Sequence, residues 1–450
     1  MLENRTDKSI INKDRENTCS DNVLENQVTE YIPYSEESFF YETDNAISTI
    51  LTKEEQENVS NEIKQSWPKL ETKEDLLQIL NKALLIIYGA NATAFTMKEL
   101  NYHSYSTINP NRYFSFEIPK KNGSKRKIDA PCNGLKHIQR CLNVIFQIIH
   151  TPHNSAMGFV KGRSVVSGAM VHLQQKYVYN IDLKDFFPSV TSGRLYKRLQ
   201  SKPFSCNENI ASIITDLCCY QNEEGKNVLP QGAPTSPTIT NFICERLDRK
   251  LSKLSSAYCL KYSRYADDIT FSGMINVFDE EGKFCKSLKN IIENEEGFKI
   301  NETKTRLCHK GERMEVTGLT VNEKVNVSRD YIKQLRTLIH NIEVKGYDEA
   351  QRIFATEYKE TNLKNHDFIG EHYVENIIAG KLLYLKMVKG EKDSTYLKLK
   401  ERFEIAMNGR ISLKKERPKT QNIKVGNLNA NTDDTDVLQA LVNLMSILEN

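Results

Sequence analysis

The chain has 450 residues, of which 39% are hydrophobic, so it can bury a sizeable core and form more than one domain. Its formal net charge of +3 excludes a uniformly basic surface, and any nucleic-acid-binding face must be local. Because the N-terminus is polar and no run reaches about 18 apolar residues, we expect a cytoplasmic protein with no membrane partner.

The first 109 residues carry no motif of chemical significance. Residues 1–30 are polar with few large apolar side chains, and we expect them to be disordered. Residues 31–109 are predicted to form a helical extension. In one of its helices, Thr72 is the expected N-cap, leucines and isoleucines recur at helical spacing, and Gly89 ends the helix.

A basic hairpin is predicted next. Residues 113–118 alternate as a strand, Asn122-Gly123 is typical of a tight turn, and residues 125–128 form the returning strand. Lysines and one arginine crowd this hairpin, which by composition alone is more typical of a solvated face than of a binding site.

Three later segments carry motifs. Residues 178–189 form an apolar strand that ends in Asp182, and residues 229–237 form a loop with Gly232 before a helix predicted over Thr238 to Leu254. In residues 262–272, aromatic and β-branched residues flank Asp267 and Asp268, which predicts strand, turn, strand. Adjacent carboxylates that stay ionised usually hold a divalent cation, although this short motif alone is more typical of a surface turn.

The order of these three segments resembles the palm of reverse transcriptases, and the chain is most similar to the bacterial retron-type and retron-like defence-associated enzymes. The resemblance covers about residues 110–390. It implies an α+β right-hand polymerase fold, in which the palm is an antiparallel sheet with helices. Its expected parts are fingers and palm at 110–325, a helical thumb at 326–410, a linker at 411–434 and a C-terminal helix at 435–450.

The resemblance also implies the catalytic residues. Asp182, Asp267 and Asp268 are expected to hold two Mg²⁺ ions for phosphoryl transfer. Phe187 is expected to exclude a 2′-hydroxyl, with Phe186 in the core; the alternative is that both rings are core residues. The expected nucleotide-binding residues are Lys125, Arg126, Phe187, Gln231 and Lys304, of which Lys304 is equally typical of a solvent lysine.

Further segments resemble the RNA-binding regions of retron enzymes. Residues 158–172 end in His172, as those enzymes do, but Gly168 replaces their asparagine; the alternative is a structural loop with a satisfied histidine. Residues 316–321 are predicted to form a short strand pair that resembles the primer grip, and their triplet Val316, Thr317 and Gly318 also resembles a retron marker for RNA binding. A helix capped by Ser328 carries a basic face that suits a duplex groove or, equally, solvent: Lys333, Arg336 and His340.

The expected function is RNA-directed DNA synthesis from dNTPs on a cognate structured noncoding RNA, in antiphage defence. An effector protein or a second copy of the chain is expected to dock on the C-terminal helix. One alternative is a defence-associated reverse transcriptase outside the retrons that makes repetitive or protein-primed DNA. Another is a non-catalytic RNA-binding scaffold, against which the three intact aspartates argue. Phe187 disfavours an RNA polymerase, and the lack of a zinc-bearing or endonuclease segment after the thumb disfavours an intron maturase.

Overall fold

The computed structural model describes residues 51–105, 111–119, 123, 125–362 and 373–414. The segment predicted to be disordered, the C-terminal helix and most of the linker lie outside these residues, as does Asn122 of the hairpin turn. Antiparallel strand pairs and α-helices make up the described chain, which is an α+β architecture as predicted. Within the same ranges, every helix is too short or too polar to cross a lipid bilayer.

Three N-terminal helices each begin at a threonine whose hydroxyl accepts a backbone hydrogen bond within a capping box. The predicted cap at Thr72 and end at Gly89 are confirmed. Apolar faces of the first two helices pack on the main hydrophobic core. The bounds are α1 Lys53–Ser66, followed by a 3₁₀ turn at Trp67–Lys69, α2 Lys73–Tyr88 and α3 Met97–Ser104.

The predicted basic hairpin forms from β1 (Tyr113–Pro119) and β2 (Lys125–Pro131), which pair antiparallel. It packs closely against the loop at Gly232. A Cβ atom on that glycine would lie 2.9 Å from Cγ2 of Ile128, and the amide of Asp129 donates to the carbonyl of Gln231 at 2.8 Å. The helices that follow the hairpin are α4 (Asn133–Ile149) and α5 (Val165–Val171).

The prediction of one continuous helix over Thr238 to Leu254 is wrong. The structure has two helices in this region, and they meet at Cys244. The Arg198 guanidinium donates to the carbonyl of Phe242 at 2.9 Å, and a side chain inserted into the helical ladder favours such a break. The elements in this region are β3 Tyr177–Asp182, α6 Ser192–Leu199, α7 Glu208–Cys218, β4 Tyr220–Gln221, β5 Asn227–Val228, α8 Ser236–Ile243 and α9 Glu245–Ala257.

The predicted strand–turn–strand forms from β6 (Lys261–Tyr265) and β7 (Asp268–Gly273). Together with β3 and with β8 (Arg306–His309), these strands make an antiparallel sheet in the order β6-β7-β3-β8. Between β7 and β8 lie α10 (Lys283–Lys289) and a π-helix at Asn290–Glu295. Helices α4, α8 and α9 contribute buried side chains to the core that this sheet shares.

The C-terminal part has its own hydrophobic core. The predicted strand pair is β9 (Glu315–Val316) and β10 (Leu319–Thr320), and the predicted cap at Ser328 accepts from the amide of Tyr331. Sequence patterns did not predict α12. The helices are α11 Arg329–Lys345, α12 Tyr347–Asn362, α13 Val374–Lys389 and α14 Ser394–Lys414.

An ion pair lies in the interior of the main core. The guanidinium of Arg264 on β6 donates to both carboxylate oxygens of Asp248 on α9, each at 2.7 Å, and both side chains are fully buried. The hydroxyl of Tyr262 also donates to Asp248, and the Arg264 guanidinium reaches the carbonyl of Ala266 at 3.0 Å. Burial would lower the pKa of Arg264, but the charge and hydrogen bonds of Asp248, together with Cys244 and Tyr262, outweigh burial and raise it.

A buried histidine links α5 to the same sheet. The two ring nitrogens of His172 lie 2.7 Å from the hydroxyl of Ser272 and 2.8 Å from that of Ser263. Burial, helped by the charge of Lys261, lowers the pKa of His172 to about 3. The imidazole is therefore neutral in the folded chain at pH 7 and fastens α5 to both β6 and β7.

Replacement of Asp248 by asparagine should leave the Arg264 charge buried without a counter-ion, which costs about 3–5 kcal/mol of unfolding free energy. Urea denaturation of wild type and variant measures this loss. The matched control is Glu349→Gln, which breaks an exposed pair with Arg352 at 2.8 Å and should change the stability very little, because solvent screens the pair. Equal, small losses in both variants would contradict a structural role for the buried pair.

The stability of the chain should also depend on His172 at acidic pH. In the unfolded chain, the imidazole of His172 binds a proton below its ordinary pKa of about 6.5. In the folded chain, the same imidazole stays neutral down to about pH 3. The free energy of unfolding should therefore fall by about 2 kcal/mol between pH 7 and pH 5 on account of this residue. In urea titrations, the stability advantage of wild type over His172→Gln should shrink by that amount; a constant advantage would contradict the buried neutral state.

Candidate active site

Three carboxylates meet at one end of the four-stranded sheet. Asp182 is the last residue of β3, Asp268 is the first residue of β7, and the two are direct partners in the antiparallel register. Asp267 lies in the two-residue turn between β6 and β7, where Ala266 has a φ of 54°. The pairing of β3 with β7 therefore brings together acidic residues that lie more than 80 positions apart in the chain.

The turn that carries Asp267 is fixed by contacts from several directions. Besides the bond from Arg264 to the carbonyl of Ala266, the amide of Leu183 donates to the carbonyl of Asp267 at 3.1 Å. A Cβ atom on Gly158 would lie only 2.8 Å from the amide nitrogen of Ala266, so the loop before α5 presses on the turn at a position that requires glycine. The backbone beneath the carboxylates is thus held before any ligand binds.

Asp182 is largely buried, and each of its carboxylate oxygens accepts one hydrogen bond. Nδ2 of Asn301 donates to Oδ1 at 2.8 Å, and Nζ of Lys304 donates to Oδ2 at 2.9 Å. Burial would lower the pKa of Lys304, but the hydrogen bond and charge of Asp182, with smaller contributions from Asp267 and Asp268, raise it. Lys304 is therefore a charged ammonium that partly neutralises this acidic site.

The three aspartates supply the type of donor that Mg²⁺ prefers, since it binds hard carboxylate oxygens. Among the described residues, no group of three Asp, Glu, His or Cys side chains is assembled tightly enough to enclose a metal ion. Oδ2 of Asp182 lies 2.9 Å from Nζ of Lys304, so this carboxylate already has a cation beside it. The donor chemistry fits a divalent cation, although the side chains do not form a closed cage.

The two phenylalanines after Asp182 have different environments. Phe186 is buried and stacks on Phe298 with ring centroids 5.9 Å apart. Phe187 is half-buried, and its ring centroid lies 6.5 Å from that of Phe159, which lies 6.2 Å from that of Tyr265 at the end of β6. Phe186 is a core residue as predicted, whereas Phe187 is a partly buried ring packed against the edge of that core.

The predicted nucleotide-binding residues of the hairpin lie on β2. Lys125 is exposed and pairs with Glu117 at 2.7 Å, and Arg126 is half-buried. Gln231 lies in the loop that this hairpin contacts, and its backbone carbonyl accepts from β2. The structure therefore places the hairpin and the Gln231 loop side by side.

One predicted RNA contact needs correction, and an arginine of the same segment has a structural role. His172 is completely buried between serine hydroxyls, so its assignment to RNA binding is wrong, and the alternative of a satisfied structural histidine is confirmed. The guanidinium of Arg163 donates to the carbonyls of His153 and Ala156, at 2.6 and 2.7 Å. It holds its own loop together and is not directed at a phosphate backbone.

The other predicted RNA-binding residues divide into buried and exposed sets. Val316 is buried in the C-terminal core, while Thr317 and Gly318 form the turn between β9 and β10 with φ values of 47° and 79°. Positive φ at both central positions is typical of a type I′ hairpin turn. Lys333, Arg336 and His340 are exposed on α11, and His340 lies 3.6 Å from Glu343.

Sequence reasoning missed the residues that orient the carboxylates. Asn301 positions Asp182, whereas Arg264, paired with Asp248, holds the turn that carries Asp267. Asn301 carried a usable signal, because it precedes the predicted site residue Lys304 by less than one helical turn. Asp248 carried none, since a single acid on an amphipathic helix is normally solvated.

Comparisons with known proteins identify the family of the chain. The family profile described as reverse transcriptase (RNA-dependent DNA polymerase) matches residues 118–321. The Retron Mx162 reverse transcriptase of Myxococcus xanthus is 35% identical over 283 residues, which are 56% of this chain and 57% of that protein. The Retron Ec86 reverse transcriptase of Escherichia coli is 36% identical over 236 residues, which are 51% of this chain and 70% of that protein.

Similarity to solved structures is weak. A telomerase from Candida albicans, solved with a fragment of telomeric RNA, aligns with 70% of this chain and 68% of its own at 12% identity and a TM-score of 0.34, which supports no conclusion. The chain spans little more than half the length of the Myxococcus relative but more than two thirds of the Escherichia coli relative. On the latter match and the shared family profile, the chain belongs to the reverse transcriptase family and, within it, to the retron type.

Proposed function

We propose that this chain is an RNA-directed DNA polymerase that copies a cognate structured noncoding RNA into DNA. The observation that carries the proposal is the pairing of Asp182 with Asp268 across β3 and β7, with Asp267 in the adjoining turn. Membership of the retron-type family supports the RNA template and the DNA product. We further propose, from the resemblance to defence enzymes, a cytoplasmic antiphage role and priming from an RNA 2′-hydroxyl.

Asp182, Asp267 and Asp268 would hold two Mg²⁺ ions. When bound, such ions neutralise charge on the reacting phosphates and promote in-line displacement. The residues around them keep the carboxylates in place: Asn301 orients Asp182, and Arg264 holds the turn through the carbonyl of Ala266. Lys304 is the cation nearest Asp182 and would lie close to the phosphates of a bound nucleotide.

The remaining parts follow from this site. We assign residues 110–325 to fingers and palm and residues 326–410 to a thumb, with the hairpin of β1 and β2 as part of the fingers. Lys125 and Arg126 on that hairpin would contact the triphosphate, since guanidinium and ammonium groups bind phosphate oxygens. The contact between Asp129 and Gln231 supports this assignment, because it joins the hairpin to the loop of the palm.

The primer and the template would lie against the turn at Thr317 and Gly318 and the exposed basic face of α11. Positive φ at both residues lets the chain reverse direction within these two positions. Lys333, Arg336 and His340 are all exposed on α11, where they would meet phosphates of the duplex. An effector protein or a second copy of the chain remains the proposed partner of the C-terminal helix.

Replacement of Asp267 and Asp268 together by asparagine should reduce Mg²⁺-dependent primer extension by at least about three orders of magnitude. The physical reason is the loss of charge compensation worth several kcal/mol in the transition state. Extension of a DNA primer on an RNA template by purified protein measures the rate. Glu302→Gln is the control, because Glu302 is an exposed carboxylate close to Asn301 that pairs with Lys289. Near wild-type extension by the double variant would refute the polymerase assignment.

Replacement of Phe187 by alanine should admit ribonucleotides. Removal of the ring relieves a steric clash of about 1–3 kcal/mol, which corresponds to a 10- to 100-fold loss of discrimination, in order of magnitude. The ratio of dNTP to rNTP incorporation in single-nucleotide extension measures it. Phe186→Leu, a change within the core, should affect stability but leave the ratio unchanged. An unaltered ratio in Phe187→Ala would show that Phe187 does not exclude the 2′-hydroxyl and only packs against its neighbours.

A further inference from the structure

A basic groove of about 700 Å³ lies between α6, the start of α9 and the end of the π-helix. None of the three catalytic aspartates lines it. Three carboxylates belong to its wall, Glu245, Glu295 and Glu296, and twice as many cations surround them: Arg194, Lys197, Arg198, Lys202, Arg246 and Arg249. The excess of three positive charges equals the formal net charge of the entire chain, +3.

The acids of the groove are already shared between several cations. Glu245 lies 2.6 Å from Arg198 and 3.2 Å from Arg249. Glu296 lies 2.7 Å from both Arg246 and Lys250, the latter just outside the groove lining. Each carboxylate thus compensates only part of the positive charge around it, and the groove keeps a positive potential.

Two lysines add charge that no acid of the described chain balances. Lys197 and Lys202 are both exposed, and neither makes an ion pair within the ranges that the structure describes. They extend the row of cations from α6 into the turn that follows it. An incoming anion would therefore meet these two ammonium groups without displacing a protein carboxylate.

The arginines of α6 are held in fixed positions. The guanidinium of Arg194 lies 4.4 Å above the ring of Phe298, and that of Arg198 lies 5.5 Å from the ring of Phe204. Burial lowers the pKa of both guanidinium groups, although each remains charged at pH 7. Arg198 donates to the carbonyls of Phe242 and Lys202 and to the carboxylate of Glu245, so it contributes positive charge to the groove wall. Because the Arg194 guanidinium is already ordered on an aromatic ring, it can bind phosphate oxygens with little further loss of side-chain entropy.

The spacing of the cations favours an extended anion over a single phosphate. Arg194 and Arg198 are separated by about 6 Å along the helix axis, from a rise of 1.5 Å per residue. Arg246 and Arg249 on α9 form a second row that lines the same groove. Two rows of cations suit a chain of phosphates, since each phosphate of a nucleic acid carries one negative charge.

We propose that this groove binds the phosphate backbone of an RNA segment outside the catalytic cleft. The choice of RNA rests on the proposed function, whereas the groove and its charge do not. A structured RNA template has regions that are not being copied at any moment, and such a region would supply the phosphates. The groove thus serves as a second anchoring surface for the RNA.

The groove is physically connected to the carboxylate of Asp182. Phe298, which underlies Arg194, also stacks on the core residue Phe186. Three residues further on, the amide of Asn301 donates to the carbonyl of Asp182, and its side chain donates to the carboxylate. RNA held in the groove would therefore be anchored directly behind the strand end that carries the first catalytic aspartate.

The test is a triple variant, Lys197→Gln, Lys202→Gln and Arg249→Gln, in the full chain. Its affinity for a fluorescent hairpin RNA is measured by anisotropy over a series of salt concentrations. We expect the affinity of the variant for RNA to be at least about tenfold lower than that of wild type. The slope of log affinity against log salt concentration should be smaller in magnitude by about 2 to 3, because each lost phosphate contact reduces it by nearly one. The control removes the same charge from exposed lysines outside the groove: Lys64→Gln, Lys98→Gln and Lys283→Gln.

Three outcomes would overturn the proposal. The first is wild-type affinity and salt slope in the groove variant, and the second is an equal loss in groove and control variants. The third is displacement of the hairpin RNA by millimolar inorganic phosphate, which would indicate a single-anion site.

Primer extension on a short unstructured template is measured in parallel. If the wild-type chain does not extend the primer, the polymerase assignment is refuted, but the groove proposal is not. If the groove variant extends the primer and binds the hairpin RNA as tightly as wild type does, only the groove proposal is refuted.

Discussion

The buried ion pair between Arg264 and Asp248 is the constraint on which the rest of the site depends. A guanidinium that is removed from water is tolerated only when a counter-charge and hydrogen-bond acceptors surround it. Asp248 supplies the charge from α9, and the carbonyl of Ala266 is one of the acceptors. The need to neutralise one buried charge therefore fixes α9, β6 and the turn that carries Asp267 relative to one another.

A second set of contacts stabilises the three carboxylates of the acidic site. Three carboxylates at one sheet end repel one another, and the Lys304 ammonium offsets part of that repulsion at Asp182. Asn301 adds a hydrogen bond to the other oxygen of Asp182. Both residues lie on the segment that follows the π-helix, so this segment both supports the carboxylates and borders the basic groove.

Local patterns were sufficient for much of the fold. The N-caps at Thr72 and Ser328, the strand–turn–strand around Asp267 and the β9–β10 turn each depend on neighbouring residues, and each was predicted from them. The break at Cys244 was not, because Arg198, which binds the carbonyl of Phe242, is 44 positions away. Helices such as α12 were also missed, since their apolar stripe is completed only by partners in the C-terminal core.

The sequence by itself determined the order of the acidic motifs, the family resemblance they carry, and the identity of the aspartates that meet at the sheet end. Only the tertiary structure decided which polar residues serve that site and which are structural. His172 is buried between two hydroxyls, and six scattered cations of the basic groove lie around a shared cavity. The physical reason is that a charge or an imidazole acquires its role from burial and from partners distant in the chain, and a linear pattern specifies neither.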